Sequence, residues 1–289
     1  MTDTDQLHRF IFDNSDVRGE IISLSHSYRS VLDNGNYPDP INDLLGELLA
    51  AAGLLSATMK FDGILTLQAR GDGDLSLLMA DCTRHDSLRG IARLVDGARP
   101  DTRDLRQLLG HGHLAITIDP AEGERYQGIV PLEQDSLNRC LEDYFNLSEQ
   151  LPTRLWLFAD GQRAGGLLLQ ALPTKLQSQE ARDNYFEHLC ILADTLTGDE
   201  MLALDNTEIL TRLFHQESVR LFEPRALRFA CSCSESRTGD MLLSLGQKEV
   251  DAIIAERGSV EVQCQFCHQL YHFDEARIAA LFAPRRTLH

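Results

Sequence analysis

The sequence has little positive charge for its length. Its 289 residues include 27 Lys and Arg against 44 Asp and Glu, which gives a formal net charge of −17 at pH 7. Proteins that bind nucleic acids present clustered Lys and Arg to the phosphates, whereas no basic run here is longer than Arg285-Arg286. We therefore expect no nucleic-acid partner.

Features of membrane-bound and exported proteins are also lacking. No window approaches the ~18 uninterrupted apolar residues of a transmembrane helix. The N-terminal segment carries acidic residues and a histidine, without the basic and apolar regions of a secretory signal. The seven cysteines are an odd number and too few for a disulfide framework, which is typical of a reducing compartment. These features predict a cytoplasmic protein without a membrane partner.

Common enzyme motifs are missing as well. The sequence contains no GxSxG elbow, no Walker loop and no HExxH motif, and Gly71-Asp72-Gly73 does not continue into a full GxGxxG. His111 and His113 could suggest a metal, but a turn entering a strand explains both. We expect no catalytic residue, and hence a protein that is not an enzyme.

Residues 1–176 have the pattern of an α+β domain with antiparallel sheets. Asp39-Pro40 predicts a helix start, with Asp39 as the cap, and apolar residues then recur at helical spacing to Leu55. Short alternating segments separated by glycine turns predict hairpins. The predicted strands are 64–69, 75–80, 87–95, 113–118, 125–131, 156–159 and 164–172. A further helix is expected from Ser136 to about Leu147.

Residues 177–230 form a charged helical linker in this interpretation. One helix is predicted around 186–196 and ended by Gly198, and a second, shorter one over 208–214. The segment has apolar stripes but too few apolar residues for a core of its own. It must therefore pack on a neighbouring surface.

Residues 231–289, at the C-terminal end, carry two close cysteine pairs, Cys231/Cys233 and Cys264/Cys267. Four thiolates satisfy a tetrahedral Zn²⁺ ion, and a shell of four cysteines is the structural type of zinc site. Two interpretations remain open: a permanent zinc ribbon, or a redox latch in which close cysteines can also form local disulfides. The CxC spacing of the first pair favours the latch.

The remaining candidate ligands are assigned other roles. His268 and His272 lie beside the second cysteine pair, but four cysteines already complete the shell, so we expect neither histidine to bind the metal. Cys82, Cys140 and Cys190 are isolated in the sequence. Cys140 and Cys190 fall on predicted helices near apolar positions, so we interpret these two as buried thiols and not as nucleophiles. None of the three cysteines has a convincing partner base.

Six short runs occur along the chain in a fixed order, before and beside the CxC and CxxC pairs. They are Asp5-Gln6-Leu7-His8-Arg9, Val17-Arg18-Gly19-Glu20, Lys60-Phe61-Asp62-Gly63, Gly123-Glu124-Arg125-Tyr126-Gln127-Gly128, Cys140-Leu141-Glu142-Asp143-Tyr144-Phe145 and Glu149-Gln150-Leu151-Pro152-Thr153-Arg154. Together with the two cysteine pairs, these runs resemble one family, the redox-regulated molecular chaperones known as the heat-shock protein 33 family. The resemblance extends over nearly the whole chain.

The resemblance implies an ATP-independent holdase that binds unfolding client proteins under oxidative stress. It implies an N-terminal client-binding domain, a helical linker and a C-terminal zinc switch, which correspond here to 1–176, 177–230 and 231–289. Cys231, Cys233, Cys264 and Cys267 match the ligands of one Zn²⁺ in the reduced, inactive form. The same residues match the oxidative disulfides 231–233 and 264–267, and the oxidised family form is described as a homodimer.

Two other functions remain as alternatives. One is a structural zinc protein that binds RNA or a protein partner through 231–289, and the other is a thiol oxidoreductase that uses Cys264 and Cys267. Residues 225–289 hold eight Lys and Arg against eight Asp and Glu, which gives RNA binding little support. An oxidoreductase would be expected to turn over a dithiol substrate without losing a metal.

Overall fold

The structure is a computed structural model that describes residues 5–58, 62–83, 86–176 and 178–283. The chain divides into two compact units, Met1–Ala230 and Cys231–His289. None of the helices within those residues is long and apolar enough to cross a membrane. Lys60 and Phe61, quoted above for the resemblance, and the basic pair Arg285-Arg286 lie outside the described residues.

The first unit alternates strands and helices along the chain. In order, its described elements are β1 (Gln6–Phe12), β2 (Val17–Leu24), α1 (His26–Leu32), α2 (Asp39–Ala57), β3 (Gly63–Arg70), β4 (Leu75–Thr83), β5 (Ser87–Leu94), α3 (Leu105–Leu109), β6 (His113–Pro120), β7 (Tyr126–Pro131), α4 (Leu137–Tyr144), a π-helical turn (Phe145–Glu149), β8 (Thr153–Ala159), β9 (Ala164–Ala171), α5 (Gln179–Ala193), α6 (Gly198–Ala203), α7 (Asn206–Phe214), β10 (Val219–Leu221), β11 (Arg225–Ala226) and β12 (Arg228–Phe229).

These strands form two sheets. The first has the order β10-β1-β2-β9-β8, with β11 also pairing with β1, and the second has the order β12-β5-β4-β3-β6-β7. All pairings are antiparallel except that of β12 with β5. The α+β class, the β3–β5 meander and the β6–β7 and β8–β9 hairpins predicted from the sequence are confirmed.

Helix α2 lies between the two sheets and is buried on nearly all sides. It contacts β2, β8 and β9 of the first sheet and β3, β4 and β5 of the second. A Cβ atom on Gly53 would overlap Ile22 Cδ1, so a larger residue at this position would require the Ile22 side chain on β2 to move. The helix was predicted with Asp39 as its cap, which is wrong by one residue. Pro38 occupies the cap position and Asp39 is already helical, where its carboxylate still favours the N-terminus.

Two further helix predictions need correction. Helix α4 follows Ser136, but the Ser136 side chain makes no capping hydrogen bond, and after Tyr144 the α-helix gives way to the π-helical turn. Helix α5 ends at Ala193, so Gly198 does not stop it. Gly198 instead begins α6, because Thr197 and Glu200 form a capping box immediately around it.

Helices α5, α6 and α7 cover the face of the first sheet that is turned away from α2. Their apolar side chains, among them Leu189, Met201 and Phe214, form one buried cluster with Phe10 and Phe12 of β1 and with residues of β2 and β9. The strands β10 and β11 then return the chain to the edge at β1. The helical linker therefore belongs to the first unit by its packing, as its lack of an independent core predicts.

The second unit is small. Its elements are α8 (Glu235–Leu245), α9 (Gln247–Arg257), β13 (Ser259–Gln263), β14 (Leu270–Asp274) and α10 (Glu275–Phe282), with β13 and β14 forming a two-stranded antiparallel sheet. Its buried apolar residues are Leu242, Val250, Val260, Phe273 and Ile278. Such a core supplies little of the free energy needed to order a chain of this length.

Candidate metal centre

The four cysteines of the second unit lie in loops that the local fold holds in place. Cys264 directly follows β13, and the turn to β14 is closed by two hydrogen bonds, from His268 N to Cys264 O and from Cys264 N to Gln269 O, both 2.9 Å long. His268 has a φ of 56°, which reverses the chain just after Cys267. Cys231 and Cys233 precede α8, whose N-terminus is capped by the Ser234 hydroxyl.

These loops bring the four sulfur atoms together. All four Sγ atoms lie within 4.8 Å of one another. The distance is 3.6 Å from Cys231 to Cys264 and 3.4 Å from Cys233 to Cys267. A tetrahedral Zn²⁺ with bonds of ~2.3 Å places its sulfur ligands roughly 3.8 Å apart. The spacing therefore fits a four-thiolate metal site, and the cluster could hold a metal ion.

The neighbouring histidines lie outside this cluster. Within the described part of the chain, the group of side chains that could hold a metal consists of the four cysteines. His272 Nδ1 lies 3.5 Å from Glu261 Oε1 across the β13–β14 pair. In the first unit, the fully exposed His111 has its Nδ1 3.5 Å from Asp72 Oδ2.

Tyr271, for which the sequence pattern predicts no role, also touches the cluster. Its hydroxyl donates a hydrogen bond of 3.1 Å to Cys233 Sγ. Although burial opposes ionisation of Cys233, this bond and the contacts with the other thiols lower the pKa of Cys233 to about 7. The same bond, with partial burial, raises the pKa of Tyr271 to about 12.

Two other thiols of the cluster, Cys231 and Cys267, are harder to ionise. Burial and hydrogen bonding with Cys233 raise the pKa of Cys267 to about 12, and burial is the largest cause of the raised pKa of Cys231. One thiolate thus forms readily, and further negative charge is disfavoured unless a cation joins the cluster. The arrangement suits a divalent metal ion, because its charge offsets the negative charge of several thiolates at once.

The three isolated cysteines are buried in the first unit, which was predicted for Cys140 and Cys190. Burial is the main cause that raises the pKa of Cys82 and of Cys190 to about 12 and that of Cys140 to about 11. Cys82 also donates a hydrogen bond of 3.1 Å to Ser56 Oγ. Thiols in this state are poor nucleophiles and poor metal ligands.

Comparison with known proteins identifies the family. The family model described as "Hsp33 protein" matches residues 5–274. The chain belongs to the Hsp33 family. Among its Hsp33 relatives, the 33 kDa chaperonin of Azotobacter vinelandii (strain DJ) is 54% identical, and that of Pseudomonas aeruginosa strain PAO1 is 51% identical. Each alignment covers 100% of both chains. The resemblance inferred from the sequence is confirmed.

A solved structure shows the same fold. The crystal structure of the 33 kDa chaperonin from Thermotoga maritima superposes with a TM-score of 0.81 and covers 96% of this chain and 97% of that one. The sequence identity of the pair is 22%. The agreement therefore concerns the Hsp33 architecture alone.

Proposed function

We propose that this protein is a redox-regulated, ATP-independent holdase that binds unfolding client proteins under oxidative stress. The observation that carries the proposal is the convergence of four cysteine sulfurs in a unit with few buried apolar residues. Membership of the Hsp33 family, with full-length relatives named 33 kDa chaperonin, supports a chaperone function. In this proposal, 1–176 is the client-binding core, 177–230 the linker and 231–289 the switch.

The reduced form would hold one Zn²⁺ through Cys231, Cys233, Cys264 and Cys267. Soft thiolate ligands with tetrahedral spacing favour zinc over hard cations such as magnesium. When bound, zinc would act as a structural ion, which contributes on the order of 10–16 kcal/mol in zinc-finger peptides. The small apolar core of the second unit makes its folding depend on such a contribution.

Oxidation would convert these ligands into disulfides. In each pair, two thiols lose two electrons and two protons as one S–S bond forms, and hydrogen peroxide takes them up to yield two waters. We assign the pairs 231–233 and 264–267, because closing a short loop costs less chain entropy than closing one of more than thirty residues. Disulfide formation removes the thiolate ligands, and the second unit would then lose its metal and unfold.

Activation would uncover the apolar surface beneath the linker. The linker ends at Ala230, and the second unit begins at the next residue. If the second unit unfolds, the C-terminal end of the linker is no longer attached to a folded domain. The buried cluster includes Phe10, Phe12 and Leu167 on the sheet side and Leu189 and Phe214 on the linker side. Once parted, both faces would offer apolar surface to unfolded clients. The net charge of −17 would keep the activated protein and its cargo in solution.

We further propose that the protein acts in the cytoplasm, is not an enzyme and forms a homodimer when oxidised. The test of the latch is a truncated protein that ends at residue 230, assayed in reductant for suppression of client aggregation. If the second unit restrains the linker, this protein will be active without oxidant and will show faster hydrogen exchange in 178–230 than the full chain. A truncated protein that is inert, while the oxidised full chain is active, would place the client surface in the second unit.

A further inference from the structure

The last six residues of the linker, 225–230, join the two sheets of the first unit. Within them, β11 pairs antiparallel with β1 of the first sheet, and β12 pairs in parallel with β5 of the second sheet. Between these two strands, the Leu227 amide donates a hydrogen bond of 2.8 Å to Asp5 O. We call residues 225–230 the terminal segment. It is followed directly by Cys231, the first residue of the second unit.

Side chains of the terminal segment alternate between the core and the surface, as in an extended strand. Leu227 is 6% exposed and belongs to the buried cluster that includes α2, and Phe229 packs against the same cluster. The intervening Arg228 is exposed. Helix α1 contacts both β12 and β5, and Val31 of α1 and Leu88 of β5 are further members of the cluster. The two apolar side chains therefore occupy a space between α1 and the edge of β5, which we call the β5 groove.

The backbone of the terminal segment is bonded to the edge of β5. Arg228 N donates to Asp86 O at 2.9 Å, and Ala230 N donates to Leu88 O at 3.1 Å. An edge strand offers backbone groups of this kind to any added strand. The pairing with β12 involves only two of the eight residues of β5. So short a pairing contributes little by itself, so the terminal segment depends on its apolar side chains and on its attachment at both ends.

An ion pair adds a charge preference to the groove. Arg225 Nη2 pairs with Asp86 Oδ1 just before β5 begins. The terminal segment contains two arginines and no acidic residue, whereas the whole chain has a net charge of −17. Because unlike charges attract, the groove favours a basic residue two positions before the first apolar side chain.

We propose that the β5 groove binds an extended segment of an unfolded client, and that the terminal segment occupies it until the second unit unfolds. A client strand would add to the edge of β5 through its backbone, and its alternate apolar side chains would replace Leu227 and Phe229. The terminal segment itself shows the required chemistry, a basic residue followed by apolar residues two positions apart. The proposal rests on the proposed function, because it names the partner of a surface that activation would uncover.

Attachment within one chain gives the terminal segment an advantage over clients. A tethered segment has an effective concentration in the millimolar range, and a dilute client cannot displace it while both of its ends are held. Unfolding of the second unit would leave the segment attached to folded structure only at its β11 end. The groove would then open without any change in the core behind it.

The test uses a fluorescently labelled peptide with the sequence of residues 224–230. Its anisotropy is measured with the full chain, either reduced and zinc-loaded or treated with peroxide. We expect the peptide to bind the oxidised chain at least about tenfold more tightly, because the tethered competitor has been released. Bound peptide should also slow hydrogen exchange over 87–94.

Two altered peptides separate strand addition from charge attraction. The peptide with Leu227→Ser keeps both arginines but loses the buried side chain, and the peptide with Arg228→Pro loses the amide that donates to Asp86 O. Each should bind the oxidised chain at least about tenfold more weakly than the unchanged peptide. Equal binding of all three peptides would overturn the proposal, since attraction to an acidic protein would then explain it.

A matched pair of chain variants locates the groove. Asp86→Asn removes the partner of Arg225, and asparagine also tolerates the φ of 65° at this position. We expect it to weaken binding by the oxidised chain several-fold, the usual size for a partly exposed ion pair. Asp96→Asn removes an exposed charge just beyond the other end of β5 and should bind like the unchanged chain. Equal weakening by both variants would contradict the location.

A third arm needs no oxidant. Leu227→Ser in the full chain, with Phe229→Ser as the milder variant, should loosen the terminal segment while the zinc stays bound, so either reduced variant should bind the unchanged peptide at least about tenfold more tightly than the reduced parent. If these variants bind and the oxidised parent does not, the groove stands and the proposed unfolding of the second unit fails. If neither binds while the oxidised chain still suppresses aggregation, the chaperone function stands and this proposal is overturned. Protection of 87–94 in the oxidised chain without peptide, together with no peptide binding, would assign the groove to the terminal segment of a second copy and also overturn it.

Discussion

The ring of Phe214 in α7 stands edge to face against the ring of Phe12 in β1, with centroids 5.1 Å apart and an interplanar angle of 88°. Both residues are 1% exposed. This pair joins the end of the linker helices to the first strand of the sheet, at the centre of the surface that activation would uncover.

Phe214→Ala should therefore loosen the linker without oxidation. Removing a buried phenylalanine costs about 3–5 kcal/mol, and part of that loss falls on the linker–sheet junction. We expect the reduced variant to suppress client aggregation and to exchange amide hydrogens faster over 206–214. Ile191→Ala, on α5 and 61% exposed, is the control and should stay inactive in reductant. A loosened but inactive Phe214→Ala protein would mean that this surface does not bind clients.

Metal content should follow the cysteine cluster. We expect about one Zn²⁺ per reduced chain, since a tetrahedral shell is filled by four thiolates. Metal analysis should show a steep loss when Cys231, Cys233, Cys264 or Cys267 is changed to Ser. The controls Cys82→Ala, Cys140→Ala and Cys190→Ala should retain the metal, because these thiols are buried in the first unit. Equal losses in both groups would contradict the assignment of the ligands.

The order of disulfide formation can be read from a partial oxidation series. The ring closed by 231–233 is smaller and more strained than that closed by 264–267, so we expect 264–267 to form first. Peptide mapping at increasing peroxide should then find 231–233. The reduced cluster already brings Cys231 near Cys264 and Cys233 near Cys267. If those cross-links dominated instead, proximity in the folded state would outweigh loop length.

The buried carboxyl group of Glu20 should make the stability of the first unit depend on pH. Burial raises its pKa to about 7, with partial relief from Arg18 and Arg9, and its Oε2 has no hydrogen-bond partner among the described residues. Because folding raises this pKa, the protonated Glu20 carboxyl contributes its full stability below pH 4.5, the ordinary pKa. This contribution is lost as the pH rises through 7. The rise of the Glu20 pKa from 4.5 to about 7 corresponds to about 3 kcal/mol of folding free energy.

Glu20→Gln should remove this contribution from the pH profile. Thermal unfolding between pH 5 and 9, spanning about two units on each side of the raised pKa, should show the unchanged protein losing stability with rising pH and the variant losing less. The relative gain of the variant should reach on the order of 3 kcal/mol at the alkaline end. Glu122→Gln, on the exposed β6–β7 turn, is the matched control. Parallel profiles for all three proteins would show that Glu20 is not a buried acid.

Local patterns made much of the fold predictable. The helical recurrence after Asp39 and the alternation of the hairpin strands each lie within a single segment, and α2, β6 and β7 form where they were expected. The prediction that Gly198 ends a helix was wrong, although glycine commonly follows a helix end. The capping box of Thr197 and Glu200 starts α6 at Gly198 and outweighs that preference. The sequence spacing also predicted which cysteines would come together.

Features that depend on distant partners were not predictable in this way. Strands β10, β11 and β12 have only two or three residues, and they exist because β1 and β5 offer edges for pairing. Tyr271 reaches Cys233 only through the β13–β14 register, which places it opposite Val262. An aromatic hydroxyl four residues after Cys267 was the available signal, and its meaning depended on that register.

Light scattering of a heat-aggregating test protein is the most direct measurement of the central claim, that oxidation converts an inactive zinc-bound protein into a holdase. The reduced full chain, the peroxide-treated chain and the same chain after re-reduction are compared at equal concentration without ATP. We predict that aggregation is suppressed only after peroxide and that zinc is released in the same step. Suppression that is equal in the reduced and oxidised forms, or absent from both, would contradict the proposed switch.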